Sequence, residues 1–492
     1  MDTTRREFLH TAGAATLGLA AAGAAQRAHA APATGRNIVF VLMDDLRLDG
    51  LGCLNPYFST PNLDRLAAAG VLFDRTFVTT SLCSPSRASI LSGQYAHRHG
   101  VLDNNTQMPP ETPTFPQEFQ KAGYRTGYVG KWHMGGESAD PRPGFDRWVS
   151  FKGQGVYYNP TFNIDGQSVP REGYVTDLIT DYAVEFIEEN RERPFMLYVG
   201  HKAVHAEFAP AERHKGSYDG RDFPKPDSMA DTEENYRGKP DWVRAQRNSW
   251  HGVDGMYDKK TPFDTFTRQY AETLRAADDS VGRIAECLQK AGLLESTLFV
   301  FTSDNGFQFG EHGLIDKRTM YEASIRIPML VHCPELVTGG QKRNEMILNI
   351  DFAPTFLEAA GIPIPDTIQG RSFFGLLSGT GTPWREDWLY EYFWERSFPQ
   401  TPSVLGVRTD RYKFAQYQGI WDGYELYDLQ EDPDEMNNLL APYRVTTEGG
   451  TLDNLINQQA DGELRKVYRD MQSRLRRLLD ETGCRPEPVW SK

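Results

Sequence analysis

The segment Cys83–Gly93 reads Cys-Ser-Pro-Ser-Arg-Ala-Ser-Ile-Leu-Ser-Gly, which sets a thiol four residues ahead of a guanidinium. Pro85 stands where a first helical turn tolerates proline, Arg87 to Leu91 continue it, and Gly93 stops it. The spacing predicts a short helix with Cys83 at its N-terminus, where free N–H groups and the helix dipole favour negative charge. Among five cysteines, a Pro two residues on and an Arg four residues on arise together by chance in roughly 1% of chains. A second set consists of oxygen donors: Asp44 and Asp45 follow the apolar run Asn37–Met43, and Asp304 and Asn305 follow Thr297–Thr302. Carboxylates plus an amide oxygen, with no imidazole, suit a hard cation such as Ca²⁺ or Mg²⁺ better than zinc. Either pair alone would serve as a turn or a cap, and it is their shared position after a buried strand that points to ligands. Basic groups form a third set: Lys131 and His133, His201 and His205, and Lys317 downstream of Gly310-Glu311-His312-Gly313.

Strands must position these groups. Asn37–Met43 is a continuous apolar run of the kind a parallel strand needs when both faces are covered, and open α/β sheets place their sites past the carboxyl ends of such strands. Helical and strand patterns then alternate. Helices are expected over Thr60–Gly70 (with Thr60 as N-cap), Thr114–Ala122, Val175–Glu189, Phe266–Ala291 and Phe352–Ala360. Strands are expected over Val71–Val78, Tyr124–Val129, Phe195–Val199, Thr297–Thr302 and Ile325–Val331. The alternation predicts an α/β fold, a large and mostly parallel sheet covered by helices on both faces, over residues 36–380. Between His205 and Phe263 the pattern lapses into a charged, aromatic stretch, and Trp242, Trp250 and His251 are expected to wall a cleft. Residues 385–492 read as a smaller α+β domain with strands Trp388–Phe393, Leu405–Tyr417 (turning at Arg408–Arg411) and Tyr424–Leu429, then a helix over Gly462–Glu481.

Cys-x-Pro-x-Arg resembles the maturation signature of the formylglycine-dependent sulfatases, in which that Cys is oxidised to an aldehyde. The resemblance spans Asp44 to Lys317 and covers nearly the whole chain after residue 36. It implies an alkaline-phosphatase-like fold and sulfate-ester hydrolysis on a carbohydrate, with Cys83 converted to formylglycine by a maturase. It also implies Ca²⁺, or Mg²⁺, held by Asp44, Asp45, Cys83, Asp304 and Asn305. Arg87 and Lys131 are then expected to steady nucleophile and sulfate, His133 to serve in release of sulfate, and His205 with Lys317 to protonate the leaving oxygen. Val204 stands where the family usually has Pro, which leaves His201 as a rival to His205. A narrower likeness to the N-acetylglucosamine-6-sulfatases rests on His99–Thr106, Asn163–Gly166, Ile315–Glu322 and Asn349–Asp351, and it implies a 6-O-sulfated sugar. Two other readings fit the same residues: a phosphonate monoester or phosphodiester hydrolase of the same superfamily, or a sulfated-glycan binding protein with unmodified Cys83.

The formal charge of −14 argues against a nucleic-acid surface, so attraction for an anionic substrate must be local to the cleft. Residues 1–30 pair Arg5 and Arg6 ahead of a mild Ala/Gly/Leu-rich run and Ala28-His29-Ala30, the pattern of a twin-arginine export signal. The run is too short and Ala-rich for a stable membrane span, so the protein is expected to be exported, periplasmic or extracellular, by the twin-arginine machinery. Cys53, Cys287, Cys333 and Cys484 are expected to be small buried hydrophobes rather than a disulfide framework.

Overall fold

The computed structural model describes residues 35–136, 138–259, 261–380, 383–418, 423–443 and 451–485. The expected export signal, residues 1–30, lies outside the described residues. Among the described residues, eleven strands form the main sheet. Its centre is β1 (Ile38–Met43), buried at every position, flanked in parallel by β5 (Phe195–Gly200) and β6 (Leu298–Ser303). Beyond β5 the sheet continues in parallel through β3 (Arg125–Lys131) to β4 (Arg147–Phe151), and then through the antiparallel hairpin Thr161–Ile164 and Gln167–Pro170.

Both faces are covered, which is why these strands read as unbroken apolar runs rather than alternating ones. Val39, Val41 and Met43 pack under α1 (Pro61–Ala69), α3 (Val175–Asn190) and α4 (Phe263–Lys290). Ile38, Phe40 and Leu42 face α2 (Cys83–Ser92) and α5 (Phe352–Ala359).

Four expectations need correction. Strand β7 (Arg326–His332), expected as part of a parallel alternation, runs antiparallel to β6 and to β2 (Val71–Phe77). The segment between Ser303 and Arg326 contains only one-turn helices, so no covering helix carries the chain back to start a parallel strand. Thr60 precedes α1 but does not cap it: its hydroxyl donates to Asp64 and accepts from Gly52 N–H, while Asp278 of α4 accepts from the N–H groups of Asn62 and Leu63. The orphan donors are satisfied from a neighbouring helix instead. Cys53 is exposed and Cys287 partly so, whereas Cys333 and Cys484 are buried; all five cysteines are free.

The four-stranded antiparallel sheet Asp387–Tyr392, Val404–Thr409, Tyr412–Tyr417 and Tyr424–Asp428 packs beneath α6 (Gly462–Thr482). Its core is continuous with Phe77, Leu82, Met320 and Ile325. Trp242 stacks edge-on against Tyr417 of this sheet at 5.2 Å, so it serves packing there rather than a cleft wall.

Candidate active site

The parallel strands end together. Met43 pairs with Ser303, Leu42 with Gly200, and Gly130 with Gly200, so the residues that follow β1, β6, β3 and β5 emerge at one edge. Asp44, Asp45, Asp304, Asn305, Lys131, His133 and His205 all come from this edge, and α2 presents Cys83 to it. Gly130 lets β3 approach β5: its φ is +118°, and a Cβ there would lie 1.9 Å from the Gly200 carbonyl oxygen. No side chain fits, so glycine is what allows Lys131 to be the last residue of a strand and still turn into the cleft.

The carboxylates, Arg87, Lys131 and Lys317 at the centre are buried, and His205 is partly exposed. The Cys83 thiol donates to Asp44 Oδ1 at 3.4 Å and lies 4.0 Å from Asp45 Oδ1. Arg87 Nε donates to Asp304 Oδ2 at 2.8 Å, its Nη1 to the Lys131 carbonyl at 2.8 Å, and its Nη2 lies 3.4 Å from Asp44. Lys131 Nζ donates to Asp44 and to Gln154. Lys317 Nζ donates to both oxygens of Asp45 at 2.6 Å. His205 Nε2 lies 3.8 Å from Asp45 Oδ2. The rival His201 is fully buried, with Nε2 3.1 Å from Ser280 Oγ of α4, so the structure brings His205 and not His201 to the cluster. Glu311 pairs with Arg47 and His312 stacks on Tyr321, so neither joins it.

Ligand atoms of Asp44, Asp45, Cys83 and Asp304 all lie within 4.8 Å of one another. Asn305 Nδ2 donates to Asp45 Oδ1 at 2.7 Å, and its Oδ1 is buried with no hydrogen-bond partner. A buried amide oxygen without a donor is costly unless a cation accepts it. Three carboxylates and that oxygen therefore fit a hard divalent cation, with Asp44, Asp45, Asp304 and Asn305 as its holders. Asp45 and His133 hold left-handed φ values of 62° and 66°. Non-glycine residues in that region cost about 1–3 kcal/mol each and concentrate at functional sites.

Electrostatics follow from burial. Burial raises Asp44, but Lys131, His205 and Arg87 outweigh it and hold the carboxyl well below its usual range. For Asp45 burial wins over Lys317 and, with Asp44, Asp316 and Asp304 nearby, pushes it up to about 7. A cation held by Asp45 would have to displace that proton. Apparent affinity for Ca²⁺ is therefore expected to fall about tenfold per pH unit below about 7 and to level off above, because the protonated carboxyl is the form that cannot bind. Calorimetric titration between pH 5.5 and 8 measures this, and a flat profile would remove Asp45 from the ligand set. Burial, then Asp44, pushes the Cys83 thiol well above its usual value, so an unmodified thiol here is not a thiolate and is a weak nucleophile. Burial, then Lys131, lowers His133 and His205 well below the usual imidazole range, whereas burial is overcome at Lys317 by Asp316 and Asp45, which raise it.

Two contacts escaped sequence reasoning. Gln154 reaches Lys131 from a loop with no pattern to mark it, and Asn104 Oδ1 accepts from Ser84 N–H at 3.0 Å, beside Cys83. Asn104 lies in the His99–Thr106 segment, so its signal was a resemblance rather than a spacing.

The fold and this cleft define a hydrolase of charged esters built at the carboxyl edge of a large α/β sheet. The Sulfatase family model matches residues 36–362, and the chain belongs to that family: it is a sulfuric ester hydrolase. A second model, N-sulphoglucosamine sulphohydrolase, C-terminal, matches residues 310–471. An N-acetylglucosamine-6-O-sulfatase of Bacteroides thetaiotaomicron is 33% identical over 497 residues, covering 88% of this chain and 87% of that protein. The human N-acetylglucosamine-6-sulfatase is 28% identical, covering 82% of this chain and 80% of its own length. A structure solved in complex with its substrate D-glucosamine-2-N,6-O-disulfate superposes with a TM-score of 0.82 at 30% identity, over 93% of this chain and 100% of that one.

Proposed function

We propose that the protein hydrolyses 6-O-sulfate esters of N-acetylglucosamine-type sugars in sulfated glycans, with Cys83 matured to formylglycine and Ca²⁺ as the favoured cation. The observation that supports this most is the concentration of Arg87, Lys131, Lys317 and His205 around three buried carboxylates beside Cys83. Such a pocket can hold a sulfate group although the chain as a whole is strongly acidic. When mature, residue 83 supplies a hydrated aldehyde, one hydroxyl to attack sulfur and a second whose deprotonation releases sulfate.

The chain's own residues perform the rest. Asp44, Asp45, Asp304 and Asn305 would hold the cation, which would supply positive charge for the sulfate oxygens, and Asp304 can take the proton of the attacking hydroxyl. Arg87 and Lys131 stabilise charge on the sulfate. Neutral His133, with its buried Nδ1 free of partners, is in the form that accepts a proton in the release step. Lys317, whose proton Asp316 and Asp45 hold in place, would with His205 protonate the leaving oxygen, both side chains facing Asp45.

The deciding experiment is a panel of defined sulfated monosaccharides with the matured enzyme. The 6-O-sulfated N-acetylglucosamine is expected to show kcat/KM at least about tenfold above 2-O- or 3-O-sulfated sugars. A primary sulfate projects on a flexible carbon and reaches a recessed nucleophile, while hydrogen bonds to ring hydroxyls reject other patterns. Faster 2-O- or 3-O-hydrolysis would end the subfamily assignment, and faster turnover of an aryl phosphonate than of an aryl sulfate would favour the phosphonate-hydrolase reading. The paired arginines at residues 5 and 6 support export through the twin-arginine route after maturation inside the cell.

A further inference from the structure

Four large apolar side chains are exposed among the described residues: Val156 (53%), Trp250 (42%), Ile364 (41%) and Trp394 (50%). Single exposed apolar residues need no explanation, but three of these four adjoin the cleft. Val156 lies two residues after Gln154, the partner of Lys131. Trp250 precedes His251, whose Nε2 is 3.1 Å from Asp316, and Asp316 precedes Lys317. Trp394 precedes Glu395, which accepts from Arg318 Nε at 2.7 Å.

Phe398 lies beside Trp250, and its chain neighbour Pro399 is hydrogen-bonded to Trp394, so one loop carries both contacts. The Phe398 ring centroid is 6.0 Å from that of Trp250, and the Arg318 guanidinium sits 4.1 Å from the same Phe398 ring. Trp394 donates its indole N–H to the Pro399 carbonyl at 3.2 Å, so its polar edge is turned to the protein and its faces remain to be covered. The loop is tied across the mouth: Asn105 Nδ2 donates to Ser397 Oγ at 3.3 Å, and the adjacent Asn104 holds Ser84 beside Cys83.

Resting on the reading that the substrate is a sulfated glycan, we propose that Trp394 and Trp250 form a platform for the pyranose linked to the sulfated residue. A pyranose offers a face of C–H groups that a flat, half-exposed indole covers well, while polar groups deeper in the cleft take the sulfated sugar. The enzyme then acts preferentially on a sulfated residue at the end of a chain rather than on the free monosaccharide.

The test compares kcat/KM on a sulfated monosaccharide with that on the disaccharide bearing the same residue at its non-reducing end. Wild type is expected to prefer the disaccharide. Trp394→Ala should cut that preference about tenfold, chiefly through KM on the disaccharide, Trp394→Phe should retain most of it, and the surface control Ile364→Ala should leave it intact. An unchanged preference in both Trp394→Ala and Trp250→Ala, or no preference in a wild type that hydrolyses the monosaccharide, overturns the platform alone. A shift of oligomeric state in the tryptophan variants with the preference intact also overturns it, by making the rim a contact between copies of the chain. Hydrolysis of aryl sulfate but of no sulfated sugar overturns the glycan reading beneath it, and the platform with it.

Discussion

Cys83→Ala is expected to lower turnover of a sulfated sugar by at least about 10⁴-fold, the scale on which an enzyme loses rate with its nucleophile. Folding is expected to survive. Cys83 is buried at the first position of α2, and the helix is held by contacts that do not involve its sulfur: Pro85 in the first turn, Ile90 and Leu91 in the core, and the left-handed Gly93 at its end. Removing one buried sulfur costs on the order of 1 kcal/mol. The substitution also removes a donor to Asp44 Oδ1, but Lys131 and Arg87 still face that carboxylate. Cys83→Ser is expected to be equally inactive unless the host's maturase accepts serine, because a hydroxyl lacks the second exit that a hydrated aldehyde provides. Mass spectrometry of the Cys83 peptide, thermal unfolding and turnover on one preparation check all three points. Residual activity of a tenth of wild type in Cys83→Ala would remove the nucleophile assignment, and an unmodified, fully bound wild type without turnover would favour the glycan-binding reading.

The sequence made the site legible where chemistry and strand ends coincide. Asp44, Asp45, Asp304 and Asn305 were readable because a fully buried strand stops directly before each pair, and a continuous apolar run marks such strands even in a single sequence. Lys131 and His205 needed the resemblance, since a lone Lys or His in a loop carries no pattern of its own. Only three-dimensional placement distinguishes His201 from His205, one ring lying 3.1 Å from Ser280 of α4 and the other 3.8 Å from Asp45. Gln154 was invisible because a polar residue in a loop, 23 positions from the lysine it contacts, looks like any solvated side chain. The direction of β7 was hidden for a similar reason: alternation of helix and strand implies parallel pairing only where a helix long enough to cross over is present. Trp242 and Trp250 had the same sequence signature, and only packing separates the one that supports the C-terminal sheet from the one that stays exposed beside the cleft.

Chelation is expected to abolish turnover, and Ca²⁺ or Mg²⁺ is expected to restore it where Zn²⁺ does not, because the four proposed holders offer only hard oxygen donors. Two substitutions separate the charges from the amide. Asp304→Ala removes a ligand, one of three negative charges, and the partner that Arg87 holds at 2.8 Å. It leaves a buried guanidinium with Asp44 at 3.4 Å as its remaining carboxylate. Breaking one side of a buried ion pair typically costs about 3–5 kcal/mol, so this variant is expected to lose both cation affinity and stability. Asn305→Ala removes a neutral donor whose Oδ1 has no hydrogen-bond partner in the protein. Without cation that oxygen is a liability, and although the Nδ2 donor to Asp45 Oδ1 is lost as well, Lys317 still donates to both oxygens of Asp45, so Asn305→Ala is expected to weaken cation binding less than Asp304→Ala and to spare most of the stability of the chelated protein. Thermal unfolding with and without Ca²⁺ reads the difference directly: the stabilisation by cation should shrink in both variants, while the chelated baseline drops markedly only in Asp304→Ala. Rescue by zinc alone, or an Asp304→Ala variant with full calcium affinity, would show that the cation is held elsewhere.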